Sequence, residues 1–305
     1  MTTASNLLEI TEITPVTDLA VAKVGGRDAA AFLQGQITCD VHRINEGQSG
    51  LGAVCNPQGR VLANFRILKH DAAFLLVLAA DLAEDIAQHL RRYVLRADVT
   101  LAVTEWACLG IRGELLRLPQ TPPRVGDEII WIGRIAWIRV PDTLPRWLLL
   151  GQRADLEAGL RPSEAREAPP ACWRLHDIRS GLPWVTAATS GRFLPQMLNL
   201  DLLGGISFDK GCYTGQEIIA RTHYRGQVKR RLYRFFAAGA EPPPPGTALV
   251  AGEEGVGQVI NSAPAAKGTE LLAVVRCDAV HGSALRLTSA PQHPLQRRDL
   301  AYTVP

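Results

Sequence analysis

Short apolar runs, most of them too brief for helices and cut repeatedly by Gly, Pro, Asn and Asp, dominate this chain. Residues 19–24 alternate apolar and other side chains as a strand does, Gly25 and Gly26 end the run, and residues 28–34 follow with a short helical pattern. Residues 50–54, 61–68 and 74–79 read as three more strands, with Asn56-Pro57-Gln58-Gly59 as a tight turn between the first two. Their short connections predict antiparallel pairing. Residues 81–93 carry the clearest helical period: Asp81 is placed to cap, Glu84 stands three residues on, and Leu82, Ile86, Leu90 and Tyr93 share one face.

A second set of strand-like runs covers residues 105–111, 128–140 and 147–150, separated by a linker at 119–126 and by Pro141 to Pro145. It predicts another α+β unit. Within it Trp131 and Trp137 fall on the same face of one strand, which reads as core, with Gly133 as a point where the strand could break. Pro170 opens a helix that runs through Ile178 and stops at Gly181; its His176 and Asp177 receive no role. Beyond residue 229 the runs at 232–236, 255–259, 271–275 and 285–287, with the stiff Glu241 to Gly246 connector among them, predict a small all-β domain. The expected architecture is therefore α+β: residues 1–100, residues 101–228, and a C-terminal β-barrel over 229–305.

Composition changes this picture little. The 305 residues are 47% hydrophobic and 21% charged, as in ordinary globular proteins. The net charge of +3 is local in origin, because residues 210–234 hold seven Lys or Arg against one acid, Glu217. Six cysteines, at positions 39, 55, 108, 172, 212 and 277, form neither a CxxC nor a Cys/His cluster, so no disulfide framework and no metal site is expected. A reducing cytoplasm fits that usage. The first 16 residues match no leader, and no apolar run reaches the length of a membrane span.

The chemistry concentrates in Lys210-Gly-Cys-Tyr-Thr-Gly-Gln-Glu217, which joins a loop to a helix. Thr214 followed by Glu217 has capping-box spacing, and Cys212 would stand near the positive end of the helix with Lys210 and Arg221 as cationic neighbours, conditions that favour a thiolate. An inert cysteine in a Gly-rich turn is the plain alternative. The amide-rich, weakly periodic stretch from 191 to 209 just before it is the kind of segment in which ligand sites sit.

These residues resemble the YgfZ family, relatives of the glycine cleavage T-protein, and further matching pieces run through the chain: Phe32-Leu-Gln-Gly-Gln, Asn56-Pro-Gln-Gly-Arg-Val-Leu-Ala-Asn-Phe, Pro195-Gln-Met-Leu-Asn-Leu, Gly204-Gly-Ile-Ser-Phe and Ala220-Arg-Thr. The resemblance implies two α+β units around a central cavity plus the barrel, with tetrahydrofolate or a derivative as ligand. It implies iron-sulfur client or assembly proteins as partners, including enzymes that modify tRNA. Cys212 is then the reactive group, and Lys210, Gly211, Tyr213, Gly215, Gln216, Glu217, Arg221, Arg225, Asn64, Gln196 and Asn199 the residues about the ligand, with Arg221 or Arg225 attracting its tail carboxylates. Two departures matter. Asn64 stands where the T-protein has a carboxylate, and Asn cannot serve as a base; Arg179 stands where it has a folate-contacting Glu. Both argue against aminomethyl transfer, which stays as the alternative activity. A third reading, nucleic-acid binding through Arg221, Arg225, Lys229, Arg230, Arg231 and Arg234 with Tyr224 and Tyr233, is set against a chain charge of only +3, which argues for a solvated face or an anion wall instead.

Overall fold

The computed structural model describes residues 12–113, 124, 126–159, 166–282 and 284–305. The readings for residues 1–11 and for most of the 119–126 linker concern residues outside that set. In chain order the elements are β1 (Glu12–Pro15), β2 (Leu19–Gly25), α1 (Ala29–Gln34), β3 (Gly50–Cys55), β4 (Val61–His70), β5 (Ala73–Ala79), α2 (Ala83–Arg91), β6 (Thr100–Val103), β7 (Ala107–Arg112), β8 (Ile129–Ile132), β9 (Ile135–Arg139), β10 (Arg146–Gly151), α3 (Arg153–Gly159), β11 (Arg166–Glu167) and α4 (Pro170–Arg179). There follow α5 (Gln216–Arg225), β12 (Arg230–Ala238), β13 (Ala248–Ala251), β14 (Glu254–Ala265), β15 (Gly268–Arg276), α6 (Ala279–Gly282), β16 (Leu285–Leu287) and β17 (Ala290–Arg298).

The fold is α+β with two sheets and a barrel. One sheet runs β3-β4-β5-β2-β6, the second β11-β1-β7-β10-β9-β8, and six strands close the barrel β12-β15-β14-β13-β16-β17. The three-strand meander β3–β4–β5 is antiparallel, as the short connections predict. Chain order and sheet membership part at the start, because β1 lies in the second sheet between β7 and β11.

The first sheet is buried on both faces. Along β5, Phe74, Leu76 and Leu78 enter a core shared with the 181–219 segment, while Leu75 and Val77 enter a second core shared with β10 residues Leu148 and Leu150. Alternation along β4 sends Phe65 and Ile67 to the first core, so Asn64 and Arg66 face the other way, buried polar residues on the side that meets the second sheet. Burial of this kind requires partners. Arg66 finds the Ser49 hydroxyl at 2.7 Å and an ion pair with Asp127.

Three local readings change. Gly133, at φ 61°, turns β8 into β9, so Trp137 packs under α3 while Trp131 goes to the opposite face and stacks on His70 at 4.0 Å. The two tryptophans do not share a face, because the hairpin reverses the strand between them. Asp81 does not cap α2: a 3-10 turn over Ala80–Leu82 precedes the helix, and the Asp81 carboxylate accepts the Ala187 N–H at 3.0 Å instead. Tyr93 lies past the end of α2 and is 40% exposed. Among the described residues no helix is long and apolar enough to cross a membrane.

Candidate functional site

The turn before α5 is braced from several sides. The Lys210 ammonium is buried and donates to the carbonyls of Ile37 (2.8 Å) and Cys39 (2.7 Å), and it lies 5.1 Å from the Tyr213 ring centre. Burial brings its pKa down to about 8, partly offset by Cys39 and Asp40. Tyr213 is buried with it, and desolvation pushes its phenol above the usual range. Gly215 takes φ 82°, and a Cβ there would stand 2.5 Å from the Asn56 carbonyl, so only glycine lets this turn meet the β3–β4 turn so closely. Asn56 in turn accepts the N–H groups of Gln58 and Arg60.

This bracing corrects two expectations. The Thr214–Glu217 capping box does not form: Gly215 is the N-cap, in left-handed geometry and without a side-chain cap, since the turn is shaped by its approach to Asn56 and Gly59. Lys210 acts as a brace and not as a free cation, because its buried ammonium is spent on two carbonyls of the 37–39 segment. What remains is presentation. Cys212 is exposed beside exposed Gly211, while Cys39, Cys55 and Cys108 are buried and Cys172 and Cys277 half-buried. Burial pushes the Cys39 and Cys108 thiols up to about 12 and that of Cys55 beyond the usual range. Gln216 is half-buried, and Glu217, Arg221 and Arg225 are exposed along α5, whose Ile219 anchors the helix in the core.

Of the four amides expected at the ligand, Asn64, Gln196 and Asn199 are engaged by backbone. Gln196 donates to the Ile219 carbonyl at 2.7 Å, tying the 3-10 turn Pro195–Leu198 to α5. Asn199 closes that turn at φ 58° and donates to the Leu232 carbonyl at 2.9 Å. Each retains a buried carbonyl oxygen with no partner, Gln196 Oε1 and Asn199 Oδ1. Asn64 donates to the Pro183 carbonyl at 2.7 Å and accepts the Val185 N–H at 2.8 Å. From the barrel, Asn261 accepts the Trp184 N–H at 2.8 Å and donates to the Trp184 carbonyl at 2.9 Å. Two asparagines on different units thus hold one peptide segment by four hydrogen bonds, and Asn64 is a positioning residue behind Trp184. Nothing local in the sequence marks Asn261 or Trp184 for this; the pairing spans 77 positions.

Trp184 lines a cavity of about 400 Å³ where the first sheet, α4 and the barrel meet, lined also by Trp173, Arg174 and Asp177 of α4 and by Asp18 and Ser262. Neither Cys212 nor Arg221 nor Arg225 lines it. Arg174, ion-paired with Asp18, is the cation there. Behind it lies a buried charge cluster that includes the two residues without an assigned role. Asp177 accepts the Arg146 guanidinium and the Trp184 indole N–H, both at 2.8 Å, and Asp142 stands 3.3 Å from His176. Burial pushes Asp142 up, but His176, Arg146 and Arg112 outweigh it and hold the carboxyl well below the usual range. Arg179 is outside this group: it pairs with Glu270 at 2.8 Å, and that carboxylate also takes Arg234 at 2.7 Å. Among the described residues no cluster of His, Cys, Asp and Glu could hold a metal.

Residues 7–115 match the GCVT N-terminal domain family. A tRNA-modifying protein YgfZ from Escherichia coli O17:K52:H18 is 34% identical over 256 residues, spanning 81% of this chain and 78% of that one. The chain belongs to the YgfZ family. A second relative of the same name, from Colwellia psychrerythraea, is 32% identical over 230 residues, 73% of this chain and 71% of its own. Among solved structures, the glycine cleavage system aminomethyltransferase T from Bartonella henselae superposes with a TM-score of 0.75 at 16% identity, over 94% of this chain and 84% of that one. The T-protein architecture is thus present in this YgfZ-family member, barrel included.

Proposed function

We propose that the chain binds tetrahydrofolate or a close derivative and serves tRNA modification by supporting assembly or repair of iron-sulfur clusters in client enzymes, with Cys212 as the working thiol. The observation that carries this reading is the contrast around Cys212. Its turn is fixed by the buried Lys210 and Tyr213 and by the close approach of Gly215, while the thiol itself stands exposed. A rigid mount for an exposed thiol suits exchange with another protein. One thiolate cannot hold a whole cluster, so further ligands come from the client or assembly partner.

The folate part is supported by the T-protein-like fold and by the chemistry of the 400 Å³ cavity. Its volume is in the range of small-ligand pockets, the indoles of Trp173 and Trp184 offer flat walls to a pterin, and Arg174 offers a cation to a tail carboxylate. Folate, when bound, supplies a reduced pterin able to carry a one-carbon unit. The tRNA part is supported by the name its relatives carry. A supporting role is favoured over aminomethyl transfer because Asn64 has no acid–base chemistry and both ends of its amide are engaged.

Calorimetric titration with tetrahydrofolate tests the ligand. Saturable heat that weakens in Trp173→Ala and Arg174→Ala is the expected result; no heat at millimolar ligand would remove folate from the account. The thiol is tested by iodoacetamide on the native protein, which should label Cys212 ahead of the other five cysteines.

A further inference from the structure

The exposed face of α5 carries features that neither the cavity nor the thiol mount requires. Phe208, on the loop before the turn, stacks on His223 with ring centres 3.8 Å apart and planes at 15°. Tyr224 stands edge-on to both, at 71° to Phe208 and 79° to His223, and is 66% exposed. A large ring left this open against an aromatic pair contributes little to the core. Around it Arg221, Arg225, Lys229 and Arg230 are exposed, and none of the ion pairs among the described residues involves them. The next two arginines differ: Arg231 pairs with Asp201 and Arg234 with Glu270. These four cations are therefore unpaired where the rings are and outnumber the nearby acids Asp209 and Glu217, and none of them lines the 400 Å³ cavity, so they are no anion wall for a ligand there.

We infer that this face binds a single-stranded segment of RNA, an unpaired base stacking on Tyr224 and its neighbours while Arg221, Arg225, Lys229 and Arg230 neutralise phosphates. Rings that accept any base face, set among unpaired cations, are the combination by which proteins hold unpaired strands. The chain charge of +3 is a poor guide here because acids elsewhere offset a basic patch that they do not touch. Position favours the same partner. Phe208 is four residues from Cys212, so the two Cα atoms are at most about 14 Å apart and a bound strand would lie beside the thiol. The inference rests on the tRNA-modification reading, whose RNA it names as a direct partner.

The test is fluorescence anisotropy with a labelled single-stranded RNA oligomer and an unmodified tRNA transcript, between about 50 and 200 mM salt. Arg221→Ala with Arg225→Ala should lower the slope of log K against log salt by about 1.4 on the single strand. Tyr224→Ala should weaken binding roughly 5- to 150-fold with the slope unchanged, and Tyr224→Phe should restore it. Arg27→Ala, a control at an exposed arginine paired with Asp98, should change neither. Equal binding by wild type and Tyr224→Ala, or a duplex RNA bound as tightly as the single strand, would overturn the inference. Folate titration and the Cys212 dependence of client enzymes are separate readouts, so a protein that passes those but binds no RNA refutes this inference and leaves the proposed function standing.

Discussion

Asn64→Asp is the substitution that tests the three-unit clamp most sharply. Asn64 is 1% exposed, donates to the Pro183 carbonyl at 2.7 Å and accepts the Val185 N–H at 2.8 Å. A carboxylate has the same shape and still accepts from Val185, but it sets an anionic oxygen against the Pro183 carbonyl in place of a donor. Leaving a buried carbonyl unsatisfied costs about 1–3 kcal/mol. Together with the desolvation of an unpaired charge, the loss at pH 7.5 should reach about 3–5 kcal/mol. The protonated acid, in contrast, has one O–H donor and one carbonyl acceptor and reproduces both bonds.

A loss of that size corresponds to a carboxyl pKa raised by roughly 2–4 units above its unfolded value of about 3.9. A raised folded-state pKa gives stability that is fully present below the unfolded value and is lost as pH rises through the folded one. The variant should therefore match wild type within about 1 kcal/mol near pH 4 and fall behind by about 3–5 kcal/mol at pH 7.5. Urea unfolding followed by tryptophan fluorescence, with wild type measured at each pH, reads this directly. An equal deficit at both pH values would mean a packing fault instead of a charge in the clamp. No deficit at pH 7.5 would refute the role assigned to Asn64.

Three further outcomes follow from the same structure. Gly215→Ala should destabilise the protein by more than about 2 kcal/mol in the same assay, because its φ of 82° and the 2.5 Å approach to the Asn56 carbonyl leave no room for a methyl group. Lys210 has its folded-state pKa brought down to about 8, so its contribution is present above the unfolded value near 10.5 and is lost as pH falls through 8. Stability of wild type relative to Lys210→Met should accordingly rise by up to about 3 kcal/mol from pH 8 to pH 10.5. Asn64→Ala and Asn261→Ala should be non-additive by about 0.5–3 kcal/mol in a double-mutant cycle, since both hold residues 183–185.

What could be read from the sequence was what local pattern encodes. The β3–β4–β5 meander, the Pro170 helix start and the barrel strands β12, β14, β15 and β16 are set by alternation, turns and breakers within a few residues, and they stand where the pattern puts them, whereas the pattern does not predict β13 and β17, which complete the barrel. The misreading of Trp131 and Trp137 is local, a hairpin at Gly133 in place of one strand, but those of Asp81, Thr214 and Lys210 are of residues whose local signal is overridden at long range. Asp81 and Thr214 have capping spacing, but Asp81 is drawn to the backbone of Ala187, and the turn at Thr214 is shaped by Asn56 and Gly59. Lys210, charged and beside a cysteine, turns instead to carbonyls more than 170 positions away. Asn64, Gln196 and Asn199 were singled out by resemblance; the backbone groups they serve lie 23 to 121 residues distant. The Tyr224 face was visible as composition, but its importance depends on which arginines are paired, and that is a property of the folded chain.

The central claim is that one exposed thiol on a rigid turn sustains client enzymes. Its most direct test replaces the native gene by Cys212→Ala or Cys212→Ser and quantifies, in tRNA from cells under oxidative stress, a modified nucleoside whose synthesis needs an iron-sulfur enzyme. With protein levels equal, both variants should lower that nucleoside to the amount found in cells lacking the protein. Wild-type amounts in both variants would contradict the account.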